Sequence, residues 1–319
     1  MSRPVRIALQ VLVSGGIVAF LLWRIDVGQT FELVGESDLP LVLLALAIFA
    51  GTTWLMAWRW SALLAAKGIH EPFRWLLRMY FVSYAAGQVL PTAVGGDAVR
   101  IVEHARRRPE SRADIAAAVI MERVVGSAGT LVLVALGLAV AAGRYEGIRV
   151  LVIVEAAFVV GMIILGVLLF SRRTRSVLEE RVFPLGRRLR LDGPLTSFHL
   201  AMHEYRASAG VLLVVLGVTV FSQFVRILGI WLCGEAVGID LSPLVYVILG
   251  PLLFLVQMVP FTVNGLGVRE AFFVVFLGRF DVDADAAFAA GFLYYAVSIA
   301  VSLPGAVLLF WRGRRPAPA

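Results

Sequence analysis

Six stretches of this chain are apolar for about 20 residues or more: roughly 7–25, 39–58, 113–142, 148–170, 209–234 and 285–311. Each is long enough to cross the ~30 Å hydrocarbon core of a bilayer as a helix. A soluble fold has no interior for so much apolar sequence. The 319 residues are 60% hydrophobic and 16% charged, against about 45–50% and about 25% in ordinary soluble domains. A membrane β-barrel needs short alternating segments, and none are seen. The single cysteine, Cys233, rules out a disulfide scaffold. The first run follows Arg3 and Arg6, as a signal peptide would. Its apolar core is long and no A-x-A site follows, so it reads as a retained anchor. The class is an all-α polytopic membrane protein.

Charge sets the expected topology. The net charge of +7 comes from 28 Arg and one Lys, Lys67, and it flanks the apolar runs. That is the positive-inside pattern, not a nucleic-acid patch. With the N-terminus inside, 22 Lys and Arg fall inside, four outside (Arg24, Arg144, Arg149, Arg279) and three within the membrane (Arg123, Arg226, Arg269). The segment 26–38 is then an acidic outer loop, and 59–78, with Arg59, an inner one. Both termini are expected in the cytoplasm of a bacterial inner membrane. The basic segment 171–207 is expected to be a cytoplasmic connector, with 195–207 as a short interfacial helix. His199 and His203 are four apart, yet no ligand set is completed around them, so no metal and no cofactor are expected.

Two further stretches, 75–100 and 243–270, are apolar but broken, by Pro91 and Gly95-Gly96 and by Pro260 and Asn264-Gly265. Each starts and ends on one side of the membrane by charge, so each is expected to be a re-entrant hairpin. They align without gaps. Residues 91–100 match 260–269 at five of ten positions, Pro91/Pro260, Val94/Val263, Gly96/Gly265, Val99/Val268 and Arg100/Arg269, with an offset of 169. The same offset carries the neighbouring runs onto one another. The chain therefore reads as one transmembrane domain over 1–319, with a first repeat at 7–142 and a second at 148–311. Each repeat holds three spans and one hairpin, and an odd number of spans inverts the second repeat. Inverted repeats with broken helices suit a transporter.

Non-helical backbone survives in a bilayer only when buried in protein or lining a wet cavity. The second arms are expected to begin near Gly96-Asp97 and Gly265-Leu266, with Asp97 as an N-cap. Their free N–H groups would favour an anion such as phosphate, with Arg100 and Arg269 adding bidentate contacts. Intramembrane polar residues are costly, so each is a candidate. Glu122 and Arg123 share a span but point about 100° apart, and at least one needs a partner elsewhere. Glu155 lies in the fourth run, Gln223 and Arg226 in the fifth, and Gln88, Gln257, Asn264 and Glu270 flank the breaks. The candidate substrate-binding set is Arg100, Arg269, Asp97, Gly95, Gly96, Asn264, Gly265, Glu270, Glu122, Arg123, Gln88 and Arg226.

The segments Pro91-Thr-x-x-Gly-Gly-Asp-x-x-Arg100, Glu122-Arg123 and Pro260…Asn264-Gly265-x-Gly-x-Arg269-Glu270 resemble the transmembrane, flippase-like domain of lysylphosphatidylglycerol synthetases. The resemblance covers roughly 7–311. It implies movement of a lipid between leaflets, without catalysis by this chain. With Arg312–Ala319 alone after the last run, a stand-alone member without the soluble synthetase domain is expected. The expected function is a flippase for an anionic phospholipid or a polyprenyl-phosphate-linked lipid. The competing readings are an integral membrane lipid-modifying transferase and a non-transporting membrane partner of a glycosyltransferase. The resemblance implies membrane lipids and their head-group phosphates as partners, with a glycosyltransferase or lipid synthetase as a protein partner.

Overall fold

The computed structural model describes residues 26–90, 95–141, 160, 161, 164, 201–258 and 267–313. Among these residues all regular structure is helical. The helices are α1 (Val27–Gly35), α2 (Leu39–Ala65), α3 (Phe73–Val89), α4 (Gly95–Arg107), α5 (Arg112–Ala141), α6 (Ala209–Glu235), α7 (Pro243–Met258), α8 (Val268–Leu277) and α9 (Ala284–Gly313). Short 3-10 turns at Pro109–Ser111, Tyr205–Ser208 and Gly278–Phe280 lead into α5, α6 and towards α9.

Four helices are long and apolar enough to cross a membrane: Leu39–Ala65, Pro109–Gly137, Ala201–Glu235 and Ala284–Phe310. They coincide with four of the six expected runs. The runs 7–25 and 148–170 lie outside the described residues, save positions 160, 161 and 164. Large apolar side chains remain exposed along these helices, among them Leu43, Trp54, Leu136, Leu213, Phe221, Leu303 and Phe310. Lipid is the solvent such faces require.

Three boundaries differ from the sequence reading. The acidic segment 26–38 is not simply a loop: it holds α1, whose N-cap Asp26 accepts from the Gln29 N–H at 3.1 Å. The run at 39–58 does not stop at its first charge, because α2 continues to Ala65 and takes Arg59 with it. Residues 201–204 continue through the 3-10 turn into α6, so this part of 195–207 extends a span instead of forming a separate interfacial helix.

The helix lengths run in the same order twice. A 27-residue helix recurs as a 27-residue helix (α2, α6), 17 residues as 16 (α3, α7), 13 as 10 (α4, α8), and 30 as 30 (α5, α9). The stop signal after the first helix recurs as well. Gly68 (φ 71°) and Gly238 (φ 82°) end α2 and α6 in the left-handed region. The Ile69 N–H reaches the Leu64 carbonyl and the Ile239 N–H reaches that of Gly234, at 3.0 and 3.1 Å. This is a Schellman cap, in which glycine avoids the steric cost of a Cβ at positive φ.

The chain divides into two compact units. The first holds Met1–Trp54, Leu77–Arg100 and Ser222–Ala319. Its helices approach closely through small residues, as in membrane bundles. A Cβ on Gly96 would lie 2.2 Å from the Ser83 carbonyl oxygen, so α4 meets α3 backbone to backbone. A Cβ on Gly305 of α9 would lie 1.9 Å from that of Phe81. The second unit holds Leu55–Leu76 and Ile101–Phe221. Its core includes the fully buried Trp60, Leu63, Leu64, Ile115 and Met121, and the Tyr205 hydroxyl donates to the Leu63 carbonyl at 2.9 Å.

Candidate functional site

Among the described residues of the first unit three arginines are buried: Arg100, Arg226 and Arg269, at 2, 9 and 3% exposure. Arg100 lies in the second turn of α4. That helix starts at Gly95, so Asp97 stands inside its first turn and is not the N-cap expected. From there the Asp97 Oδ1 accepts from Arg100 Nη2 at 3.0 Å. The guanidinium also lies 4.6 Å from the centre of the Tyr80 ring on α3.

Arg269 has a parallel arrangement. α8 starts at Val268, later than the Gly265-Leu266 start expected, because Gly267 takes φ 82° and serves as its N-cap. Glu270 is the third residue of the helix and reaches back to the Gly267 N–H at 2.7 Å. That is the side-chain half of a capping box. Its other oxygen accepts from Arg269 Nε at 3.0 Å and Nη2 at 2.7 Å. The Arg269 guanidinium lies 4.2 Å from the Tyr295 ring centre and 5.6 Å from that of Tyr294, both on α9.

Arg226 of α6 contacts tyrosines of both α3 and α9. It sits 4.9 Å from the Phe49 ring centre. Its Nη2 is 3.5 Å from the Tyr84 hydroxyl, and the Tyr294 hydroxyl is a further hydrogen-bond partner. Tyr80 and Tyr84 are one turn apart on one face of α3. Tyr294 serves both Arg226 and Arg269. The three arginines are thus tied to one series of tyrosines, with the carboxylates of Asp97 and Glu270 at the first turns of α4 and α8. Face-on contact between a guanidinium and a ring favours the cation by about 0.5–2 kcal/mol.

Gln88 lies half-buried one turn beyond Tyr84, and Gly95 and Gly96 are buried at the start of α4. Asn264 and Gly265 lie outside the described residues, as do Pro91, Pro260 and Glu155.

Glu122 and Arg123 belong to the second unit, and the structure separates them as their spacing predicts. Glu122 is buried, whereas Arg123 is exposed. The partner of Glu122 is Arg59 of α2, whose Nε and Nη2 donate to Oε1 at 3.2 and 2.8 Å. Arg59 Nη1 donates to the Thr219 hydroxyl at 3.0 Å, which in turn donates to the Val215 carbonyl at 2.6 Å. Sequence reasoning placed Arg59 in a loop and missed this pair. The signals were the apolar positions Trp60, Leu63 and Leu64, which continue the helix to Ala65. Tyr294 was missed because a tyrosine inside an apolar run reads as a hydrophobe; its neighbour Tyr295 was the cue to a polar face. Among the described residues no group of three His, Cys, Asp or Glu side chains is arranged to hold a metal ion.

The model of the lysylphosphatidylglycerol synthase TM region matches residues 7–305, nearly the whole chain. The chain belongs to that family. It is also similar to a UPF0104 membrane protein of Pyrococcus horikoshii, with 22% identity over 177 residues. That match covers 55% of this chain and 53% of the relative, so the chain spans about half the length of the curated relative it matches. Family and helices together make this a multi-pass membrane protein.

Proposed function

We propose that this protein translocates an anionic lipid between the leaflets of a bacterial inner membrane, binding the head-group phosphate at Arg100, Arg226 and Arg269. The observation that carries the reading is the arginine–tyrosine series of the first unit. Two of its arginines sit in the first two turns of α4 and α8, near helix starts where backbone N–H groups and the helix dipole favour an anion. Each is paired with a carboxylate on its own helix. A phosphate can take the place of that carboxylate at the guanidinium without any helix losing a packing partner. Tyrosine hydroxyls supply further donors while the rings keep the arginines desolvated between visits. In this reading the broken stretches are re-entrant hairpins, the repeats are inverted, and rocking of the halves exposes the site to each leaflet in turn. The recurring helix order supports that architecture, and family membership supports a lipid-related role.

The test is leaflet exchange in liposomes containing the purified protein and one fluorescent anionic lipid at a time, read by dithionite quenching. Exchange above empty liposomes is expected for at least one phosphate-bearing lipid. The double variant R100Q/R269Q, folded by circular dichroism, is expected to lose it. Full exchange in that variant overturns the assignment of the site. Absence of exchange in the wild type for phosphatidylglycerol, aminoacyl-phosphatidylglycerol and polyprenyl phosphate overturns the transport reading.

A further inference from the structure

His104 lies in the last turn of α4, one turn beyond Arg100 on the same helix. It has no exposure, and neither ring nitrogen makes a hydrogen bond among the described residues. Trp75 meets it edge-on at 4.9 Å and Trp60 at 5.5 Å, nearly perpendicular. The charged groups facing it are Glu71, Arg107 and Arg108. The Glu71 carboxylate, also buried, lies 3.7 Å from His104 Nε2, an ion-pair distance too long for a hydrogen bond. It is held instead by Arg107 Nε at 3.0 Å and Arg108 Nε at 2.9 Å, both on half-exposed side chains. Burial pushes the imidazole below its ordinary range, Glu71 pulls it back up, and the two arginines oppose that pull. Neutral His104 is therefore the resting form.

We propose that His104 and Glu71 form a proton-binding site whose occupancy switches Glu71 from the arginines to the imidazole. A proton from water adds to the free lone pair of the ring. The resulting imidazolium donates from Nε2 to Glu71 Oε1, closing the 3.7 Å gap. Its position at a helix C-terminus favours positive charge. Arg107 and Arg108 lose their shared carboxylate and turn to water, which they already reach. Loss of the proton reverses each step. Because α4 carries Arg100 and Asp97 in its first two turns, proton binding acts on the same arm as the lipid site. As a coupling device the proposal rests on the transport reading; as a proton site it stands alone.

Histidine side chains of the full chain in nanodiscs, labelled with carbon-13 and nitrogen-15, are titrated by NMR from pH 8 to pH 4, with H104Q identifying the resonance. His104 is expected to titrate below about 6.5, the ordinary value. E71Q is expected to lower that midpoint. The double variant R107Q/R108Q, altered only at half-exposed side chains, is expected to raise it. A His104 that never titrates in this range, or a midpoint that neither change moves, overturns the site. In liposomes, H104Q is expected to keep leaflet exchange while losing its dependence on a pH gradient. Exchange in H104Q that responds to the gradient as in the wild type overturns the coupling. If wild-type liposomes show no exchange, the transport reading and the coupling fail, and the titration still decides whether the proton site exists.

Discussion

Two buried arginine systems in this protein are built in opposite ways. In the second unit, Arg59 on α2 pairs with Glu122 on α5 and reaches Thr219 on α6, so one guanidinium holds three helices. In the first unit, Arg100 and Arg269 pair with carboxylates on their own helices, three residues and one residue away. The difference separates a fastener from a binding group. A pair that spans helices cannot open without leaving a charge stranded in the core. A pair within one helix turn can open to a ligand while the packing stays as it was.

The largest effect is expected where the fastener is broken. Arg59→Met leaves Glu122 buried without its cation, and Glu122→Gln does the reverse. Losing one partner of a buried pair costs about 3–5 kcal/mol. Either change should lower the unfolding temperature in detergent sharply, and the double variant R59M/E122M should recover much of the loss. Equal stability of wild type and both single variants would remove the distinction drawn here.

Arg269→Gln is expected to invert that pattern. Glu270 keeps its bond to the Gly267 N–H, so thermal stability should fall by less than in R59M, while lipid exchange should fall at least tenfold. Tyr294→Phe removes one hydroxyl from Arg226, worth about 1 kcal/mol, and should slow exchange by about fivefold with little change in unfolding temperature. Comparable stability losses in R269Q and R59M would make both pairs structural.

The caps permit a finer comparison. Gly68→Ala and Gly238→Ala each force a Cβ into positive φ, at about 1–2 kcal/mol. The two losses should be equal within error if the two caps are energetically as well as geometrically alike. The smallest effect is expected for Glu103→Ala, which breaks the exposed pair with Arg106. Surface pairs of this kind often contribute nothing measurable. A pH series adds a signed test. The unfolded chain binds a proton at His104 more readily than the fold does, since burial lowers the imidazole in the native state. That contribution is complete above about pH 6.5 and is lost as the pH falls below it. H104Q should remove this part of the acid dependence of unfolding.

The spans were legible because lipid demands long apolar runs, and four of them appear as helices whose ends lie close to the runs read, save that α2 runs past its first charge to Ala65. The ten aligned positions fall at the starts of α4 and α8, which occupy the same place in two matching orders of helix length. Contacts between helices were not legible. A run that ends at its first charge hides Arg59, whose buried partner Glu122 lies on another helix, and no spacing rule links positions 63 residues apart. The candidates Arg100, Arg226, Arg269, Asp97 and Glu270 were legible as costly polar residues in apolar sequence, although Asp97 and Glu270 turned out to hold arginines. The tyrosines that join them carry no such mark, because an aromatic ring satisfies a hydropathy pattern whatever its hydroxyl does.

Gly305 is buried between neighbours that are all exposed, Leu303 and Pro304 before it and Ala306 and Val307 after. It faces a main-chain oxygen, not a side chain that could swing aside. Genetic drift can exchange greasy residues freely around it, yet position 305 admits no substitution that keeps α9 seated on α3. In a population of sequences under selection it should stand as a fixed letter in a stretch that otherwise reads as noise.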